Sequence, residues 1–238
     1  MKIALIGYGK MGKTIERLAL AAGHAVVLKI DHNNAAAMTA EALREADVAI
    51  EFSRPESAFD NISRCLEAGL PVVCGTTGWL EKLPAVKVLC ESTKGAFLYA
   101  SNFSIGVNLF FALNRHLAKL MAEHTQYEPS LLEIHHIHKL DAPSGTAITL
   151  AEGVLAAYPE KKQWVNAETI DPQALAIISE RTDEVPGTHE VRYNSAIDSL
   201  SIRHEAHSRE GFAQGALVAA GWIIGKQGCF DMRDVLGI

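Results

Sequence analysis

The sequence predicts an α/β fold, and three observations carry that prediction. Residues 2–6, KIALI, are an apolar run of strand length that passes straight into a glycine-rich turn, Gly7–Gly12. A helical pattern follows, Gly23 offers its stop, and a second apolar run, 25–30, ends at Asp31. After residue 103 the character changes, first to a long helix and then to strands of alternating character mixed with one more helix. The first two observations open a parallel sheet with crossover helices, the Rossmann-like arrangement. The third predicts an inserted α+β domain with an open mixed sheet.

Element by element, strand 2–6 leads through the glycine turn to a helix over 13–22 and a strand over 25–30. A short helix or loop covers 39–46, and strand 47–52 exits at Ser53–Pro55. The next helix, 56–68, stops at Gly69, and strand 70–75 ends in TTGW. A weaker strand at 86–89 and another at 96–100 complete the sheet. Residues 105–123 read as a long helix with Val107, Phe110, Phe111, Asn114, Leu117 and Leu120 on its inner face. Strand 131–137 and helix 145–157 follow, then a polar, irregular stretch over 158–175. Strands at 176–179, 189–195 and 200–206 come next, with a hairpin turn at 194–198. A last helix, rich in small residues, covers 211–228 and packs back on the first domain. The domains are therefore 1–103 with 213–238, where the glycine turn points to a dinucleotide, and an inserted 104–212.

Bulk properties exclude several classes. With 238 residues and 48% apolar content, the chain is long enough for one large or two modest folded domains. A net charge of -6 without any dense Lys/Arg run argues against nucleic acid. No run of about 18 uncharged apolar residues argues for a membrane span. The start is too short and too glycine-interrupted for a signal peptide. Cys65, Cys74, Cys90 and Cys229 lack metal spacing, so reduced thiols in a cytoplasmic protein are expected.

Gly7, Gly9 and Gly12 match G-x-G-x-x-G between a strand and a helix. Gly7 permits the tight turn, Gly9 lets backbone approach a pyrophosphate, and Gly12 lets helix pack closely on sheet. The pyrophosphate would lie on free N–H groups of the helix N-terminus. Asp31 is placed to accept both ribose hydroxyls of NAD and to repel a 2′-phosphate, while Lys29 and His32 could offset it and tolerate NADP. Thr76 and Thr77 in GTTG, 75–78, could bond the nicotinamide ribose or amide, or form an ordinary turn.

The stretch HHIHKLDAPSGTA, 135–147, carries the chemistry. On a regular strand His136 and His138 share a face and His135 points away. Two imidazoles on one face fall short of the three or four ligands a metal needs, so no metal is expected. Ser144, Gly145 and Thr146 present successive N–H groups at a helix start, a nest for a carboxylate or phosphate, and Lys139 adds a positive charge. Lysine also donates a proton, weakly at neutral pH unless tuned; histidine is better matched. Arg209 in HSREGF could pair with a carboxylate in bidentate fashion.

These stretches resemble the 4-hydroxy-tetrahydrodipicolinate (dihydrodipicolinate) reductase family, whose signature is close to E-x-H-H-x-x-K-x-D-x-P-S-G-T-A. Residues 133–147 follow it throughout, and DVAIEFSRPE, GTTGW, SNFSIGVN, GTHEV and HSREGFAQGA extend the similarity along the chain. The resemblance implies NADH- or NADPH-dependent reduction of a cyclic imine dicarboxylate on the route to diaminopimelate and lysine, commonly by a homotetramer. It makes His135 and Lys139 the catalytic pair, with Lys139 the proton donor. His136 then contacts substrate, and Ser144, Gly145 and Thr146 hold one carboxylate. The cofactor would meet Gly7, Tyr8, Gly9, Lys10, Met11, Gly12, Asp31, Gly75, Thr76, Thr77, Ala100, Ser101, Asn102 and Phe103. His135 either acts across a twist of its strand or orients and polarises the substrate. The chain departs from the family in a shorter glycine turn, in Glu51 where Asp is usual, in RTDEVPG before the GTHEV stretch, and in residues lost between Asp31 and Asp47.

Two other readings compete. A semialdehyde dehydrogenase of similar first half would need a nucleophilic cysteine; Cys74 precedes GTTG but lies in an apolar strand. A dinucleotide sensor without turnover leaves Lys139, His135 and the anion nest unexplained.

Overall fold

The structure, a computed structural model, describes every residue except Arg209. The chain divides into two units, Met1–Ile105 with Glu210–Ile238, and Gly106–Arg209.

The first unit opens with β1 (Lys2–Ile6), α1 (Lys10–Ala21), β2 (Ala25–Ile30), α2 (Ala40–Arg44) and β3 (Val48–Glu51). It continues with α3 (Pro55–Glu67), β4 (Val72–Cys74), α4 (Leu83–Ser92) and β5 (Ala96–Tyr99). Helix α1 begins at Lys10 rather than Lys13. Gly9 is its extended N-cap, so Lys10, Met11 and Gly12 form the first helical turn. Residues 86–89 are not a strand but part of α4. The V-K-V-L alternation is too short to separate the two periods, and burial of Val86 and Cys90, four apart, with Val88 68% exposed, shows the helical one.

The second unit holds α5 (Ile105–Ala122), β6 (Glu128–His135), α6 (Gly145–Leu155), β7 (Gln163–Val165), β8 (Ala174–Arg181), β9 (Thr188–Asn194) and β10 (Ser199–Glu205). Its sheet runs β10-β9-β6-β8-β7, antiparallel on the β9 side and parallel on the β8 side. Leu131, Ile177, Val191 and Tyr193 on one face pack against Phe110, Ala118 and Met121 of α5 and Leu150 and Val154 of α6. Leu120, expected on the inner face of α5, is 54% exposed; Ala118 and Met121 take that place. Strand β6 starts earlier than expected and ends at His135, so His136 and His138 lie beyond it. The stretch expected to be irregular contains β7.

The chain then closes the first unit with α7 (Glu210–Ile223), β11 (Gly228–Phe230) and α8 (Met232–Leu236). The expected last helix is thus shorter, and β11 was not foreseen. The sheet order is β11-β5-β4-β3-β1-β2, all parallel. It is buried on both faces, which is why β1 is apolar without alternation. Ile3, Leu5, Val48 and Ile50 meet α1, α7 and α8 on one side. Ala4, Ile6, Ala49 and Val72 meet α2, α3 and α4 on the other. This is the Rossmann-like parallel sheet that the sequence predicts, accompanied by the mixed sheet.

Candidate active site

Backbone hydrogen bonds align the exits of the parallel strands. Gly7 N–H donates to the Ile30 carbonyl at 2.9 Å, Phe52 N–H to Ile6 at 2.7 Å, and Gly75 N–H to Glu51 at 2.9 Å. Ala100 N–H donates to Cys74 at 3.2 Å. Because β2 and β3 flank β1 on opposite sides, the order reverses at the Gly7 turn, where open α/β sheets bind ligands.

The three glycines divide their work. At Gly7 (φ +96°) a Cβ would sit 1.9 Å from the Phe52 carbonyl oxygen, and at Gly12 one would sit 2.3 Å from that of Gly7. Both positions are closed by the protein itself. A Cβ on Gly9 would meet nothing within 4 Å, so this glycine faces open space above the start of α1. That space suits a pyrophosphate. Tyr8 is anchored by its hydroxyl to Glu16, and Lys29 Nζ reaches the same carboxylate at 3.2 Å. Lys10 is exposed, and Met11 packs against the core. Asp31 stands at the end of β2, one oxygen accepting the Asn33 N–H at 2.7 Å.

Gly75 is glycine because a Cβ would lie 2.1 Å from the Phe52 ring. Thr76 is buried and its hydroxyl accepts the Ser53 N–H at 2.8 Å, which ties two strand exits together; Thr77 is exposed. Ala100 and Phe103 are buried, the Phe103 ring 5.7 Å from that of Phe52, while Ser101 is exposed. Asn102 accepts the Ser104 N–H at 2.9 Å. Cys74 is no nucleophile: burial and the Glu51 carboxylate push its thiol far up, and its Sγ lies 3.1 Å from Glu51 Oε2.

In the second unit, strand alternation puts Glu133 and His135 on the same buried face, with His189 of β9 paired opposite Glu133. Glu133 is fully buried. Its carboxylate accepts the Ser144 N–H on both oxygens at 3.1 Å, the Ser179 hydroxyl at 2.7 Å and Arg181 Nη2 at 3.1 Å. Oε2 also faces His135 Nδ1 at 3.3 Å. Burial pushes the carboxyl up, but hydrogen bonds from His135, Ser144 and Ser179 outweigh it and hold the group well below the usual carboxylate range. His189 Nε2 lies 3.0 Å from Ser144 Oγ, and its ring meets that of His135 edge-on at 5.0 Å. Burial and neighbouring His135 push His189 down to about 4, so it is neutral at physiological pH.

The anion turn is therefore partly occupied by the protein's own carboxylate. Ser144 caps α6, its Oγ accepting the Ala147 N–H at 3.2 Å, and its own N–H is spent on Glu133. The Gly145 and Thr146 N–H groups have no protein acceptor among the described residues, and a Cβ on Gly145 would meet nothing within 4 Å. Lys139 Nζ donates to both oxygens of Asp141 at 2.7 Å, which lowers the Asp141 carboxyl. Arg181 Nη2 also donates to the Asp141 carbonyl at 2.6 Å, which pins this loop. His136 is half-buried, and His138, exposed, pairs with Glu184 at 3.4 Å. Arg209 lies outside the described residues.

Sequence reasoning missed Ser179, Arg181 and His189 as site-forming residues, and it saw Glu133 only as a carboxylate near the histidines that need not converge with them. The signals were the alternation E-x-H before the histidine loop and the H of GTHEV, but only strand pairing brings them together. Ligand atoms of Glu133, His135 and His189 fall within 4.8 Å of one another. The carboxylate is already engaged by a guanidinium, a hydroxyl and an amide, so this set reads as a hydrogen-bond hub rather than a metal cage.

Two family models match the chain: Dihydrodipicolinate reductase, N-terminus, over residues 1–103, and Dihydrodipicolinate reductase, C-terminus, over residues 106–236. A 4-hydroxy-tetrahydrodipicolinate reductase of Christiangramia forsetii is 47% identical over 238 residues, covering 99% of this chain and 98% of its own. One of Chromobacterium violaceum is 38% identical over 206 residues, 83% of this chain and 76% of its own. The solved structure of dipicolinate-bound dihydrodipicolinate reductase from Paenisporosarcina sp. TG-14 shares the fold, with a TM-score of 0.79 at 23% identity and 98% of each chain covered. With both halves matched and a near-full-length relative at this identity, the chain belongs to the dihydrodipicolinate reductase family.

Proposed function

We propose that this chain reduces 4-hydroxy-tetrahydrodipicolinate to tetrahydrodipicolinate and water, using a nicotinamide cofactor, in diaminopimelate and lysine biosynthesis. The observation that carries this reading is an anion turn whose Gly145 and Thr146 N–H groups are open, preceded in the same loop by Lys139 held on Asp141. A cyclic imine dicarboxylate has two carboxylates for such donors. When bound, the cofactor supplies hydride to an electron-poor carbon conjugated with the ring imine, and the substrate's hydroxyl leaves as water.

The chain's residues do the rest. Gly145 and Thr146 N–H groups hold one carboxylate, with Ser144 shaping the turn and His136 contacting the ring substituents. Lys139 exchanges its Asp141 partner for the substrate, supplies charge and gives up the proton that the ring gains. His135, buried against Glu133, polarises and orients. Replacing Lys139 by Ala should lower kcat by roughly a hundred-fold or more while the NADH Kd stays within about two-fold. Unchanged turnover would remove Lys139 from the chemistry.

The cofactor belongs to the first unit, 1–103 with 213–238, and substrate and assembly to 104–212. NADH serves at least as well as NADPH: Asp31 holds a carboxylate oxygen where a 2′-phosphate would come, and nearby Lys29 is already paired with Glu16. A clear NADPH advantage in steady-state constants would contradict this. The protein works in the cytoplasm, for which four free thiols are suited; no described helix is long and apolar enough to cross a membrane. It assembles as a homotetramer, for which the uncovered face of the mixed sheet, with half-buried Leu132, Ile134 and Ile178, is the candidate surface.

A further inference from the structure

We infer that Glu133 is a positioning residue that fixes His135 as its Nδ1–H tautomer while setting the backbone of the anion turn, so that one buried carboxylate shapes both halves of the substrate site. This rests on the assignment of His135 to the reacting end of that site.

Four observations lead there. Glu133 and His135 are two apart on β6, so both side chains enter the same buried layer. Glu133 Oε2 is 3.3 Å from His135 Nδ1, close enough for an ion-pair contact, and that buried nitrogen makes no hydrogen bond to any described residue, so the carboxylate is the acceptor within its reach. A carboxylate that receives Arg181, Ser179 and the Ser144 amide is ionised and accepts only, so the imidazole nitrogen facing it must carry hydrogen. Finally, Gly187 (φ +154°) leaves room where a Cβ would lie 3.0 Å from His135 Nε2, so the ring is held from both ends. The lone pair then stays on Nε2, because moving the proton there would set an Nε2–H against Gly187 and leave a bare Nδ1 facing the carboxylate. This is the logic by which a buried carboxylate selects the tautomer of a working histidine in hydrolases.

The same carboxylate clamps the Ser144 amide with both oxygens, which leaves Gly145 and Thr146 as the free donors of the turn. Neutralising Glu133 therefore disturbs His135 and the turn together.

The test reads the tautomer directly. In wild-type protein labelled with nitrogen-15 histidine, His135, assigned by loss of its signals in His135→Gln, should show a protonated Nδ1 and an unprotonated Nε2 at neutral pH. A protonated Nε2 with a bare Nδ1 overturns the proposal, whatever any variant does. Glu133→Gln should lose that preference and lower kcat by roughly ten- to a hundred-fold with the NADH Kd unchanged, and Glu133→Asp should recover part of kcat. A folded Glu133→Gln with kcat within about three-fold of wild type also overturns it. Failure of the wild-type protein to reduce the dicarboxylate would sink the proposed function instead, leaving the tautomer result to stand or fall on its own.

Discussion

Two neighbouring side chains in the second unit give the protein an acid-sensitive core. His189, pushed down to about 4, is neutral when folded, whereas the unfolded chain takes up a proton near the ordinary 6.5. Between those values the unfolded state binds more protons, so stability falls as pH drops from about 6.5 to about 4, by roughly 3 kcal/mol in total. Glu133 acts in the same direction lower down: its depressed carboxyl stabilises above its ordinary value and loses that contribution as pH falls below it. Urea titrations of His189→Gln should show the slope between pH 4 and 6.5 flattened; an unchanged slope contradicts the assignment. The glycines, Asp31 and the HHIHK run were legible in the sequence because each is a local pattern. The Glu133, Arg181 and His189 hub was not, because it forms only when β6 pairs with β8 and β9, which follow it in the chain after α6 and β7.

At the scale of elements, glycine positions separate packing from binding. In α7 a Cβ on Gly215 would lie 1.8 Å from the Phe103 carbonyl oxygen, so the helix rests directly on the loop after β5. Gly215→Ala should destabilise the protein by about 1–3 kcal/mol in urea unfolding. Gly9→Ala, facing open space at φ -84°, should leave the unfolding midpoint within error yet weaken NADH about ten-fold or more by fluorescence titration. Equal affinity would show that the open space is not where the cofactor lies. The buried strands of the first sheet were readable because burial on both faces leaves an unbroken apolar run. Residues 86–89 were misread because four residues satisfy a strand and a helix equally. The three-residue β11 carries too little pattern to be seen. The histidine loop was placed on a strand because its alternation continues past His135, where the pairing stops.

For the whole molecule, the proposed function divides two tasks over one chain: dinucleotide binding in the parallel-sheet unit and dicarboxylate binding in the mixed-sheet unit. The change of pattern after β5 and the small-residue helix near the end of the chain made the α/β class and the second sheet legible; assembly was not, because nothing in strand alternation says what covers an open face. Leu132→Glu, on that face at the centre of the sheet, should convert a tetramer to smaller species in sedimentation velocity, and a monomeric wild type would refute the assembly. The central claim is tested most directly by following NADH and NADPH oxidation optically, with substrate made in place from pyruvate and aspartate semialdehyde by the preceding synthase. Rapid oxidation that depends on the synthase, with NADH at least as effective as NADPH, is the predicted result. No oxidation with either cofactor, from folded protein that still binds dinucleotide, would contradict it.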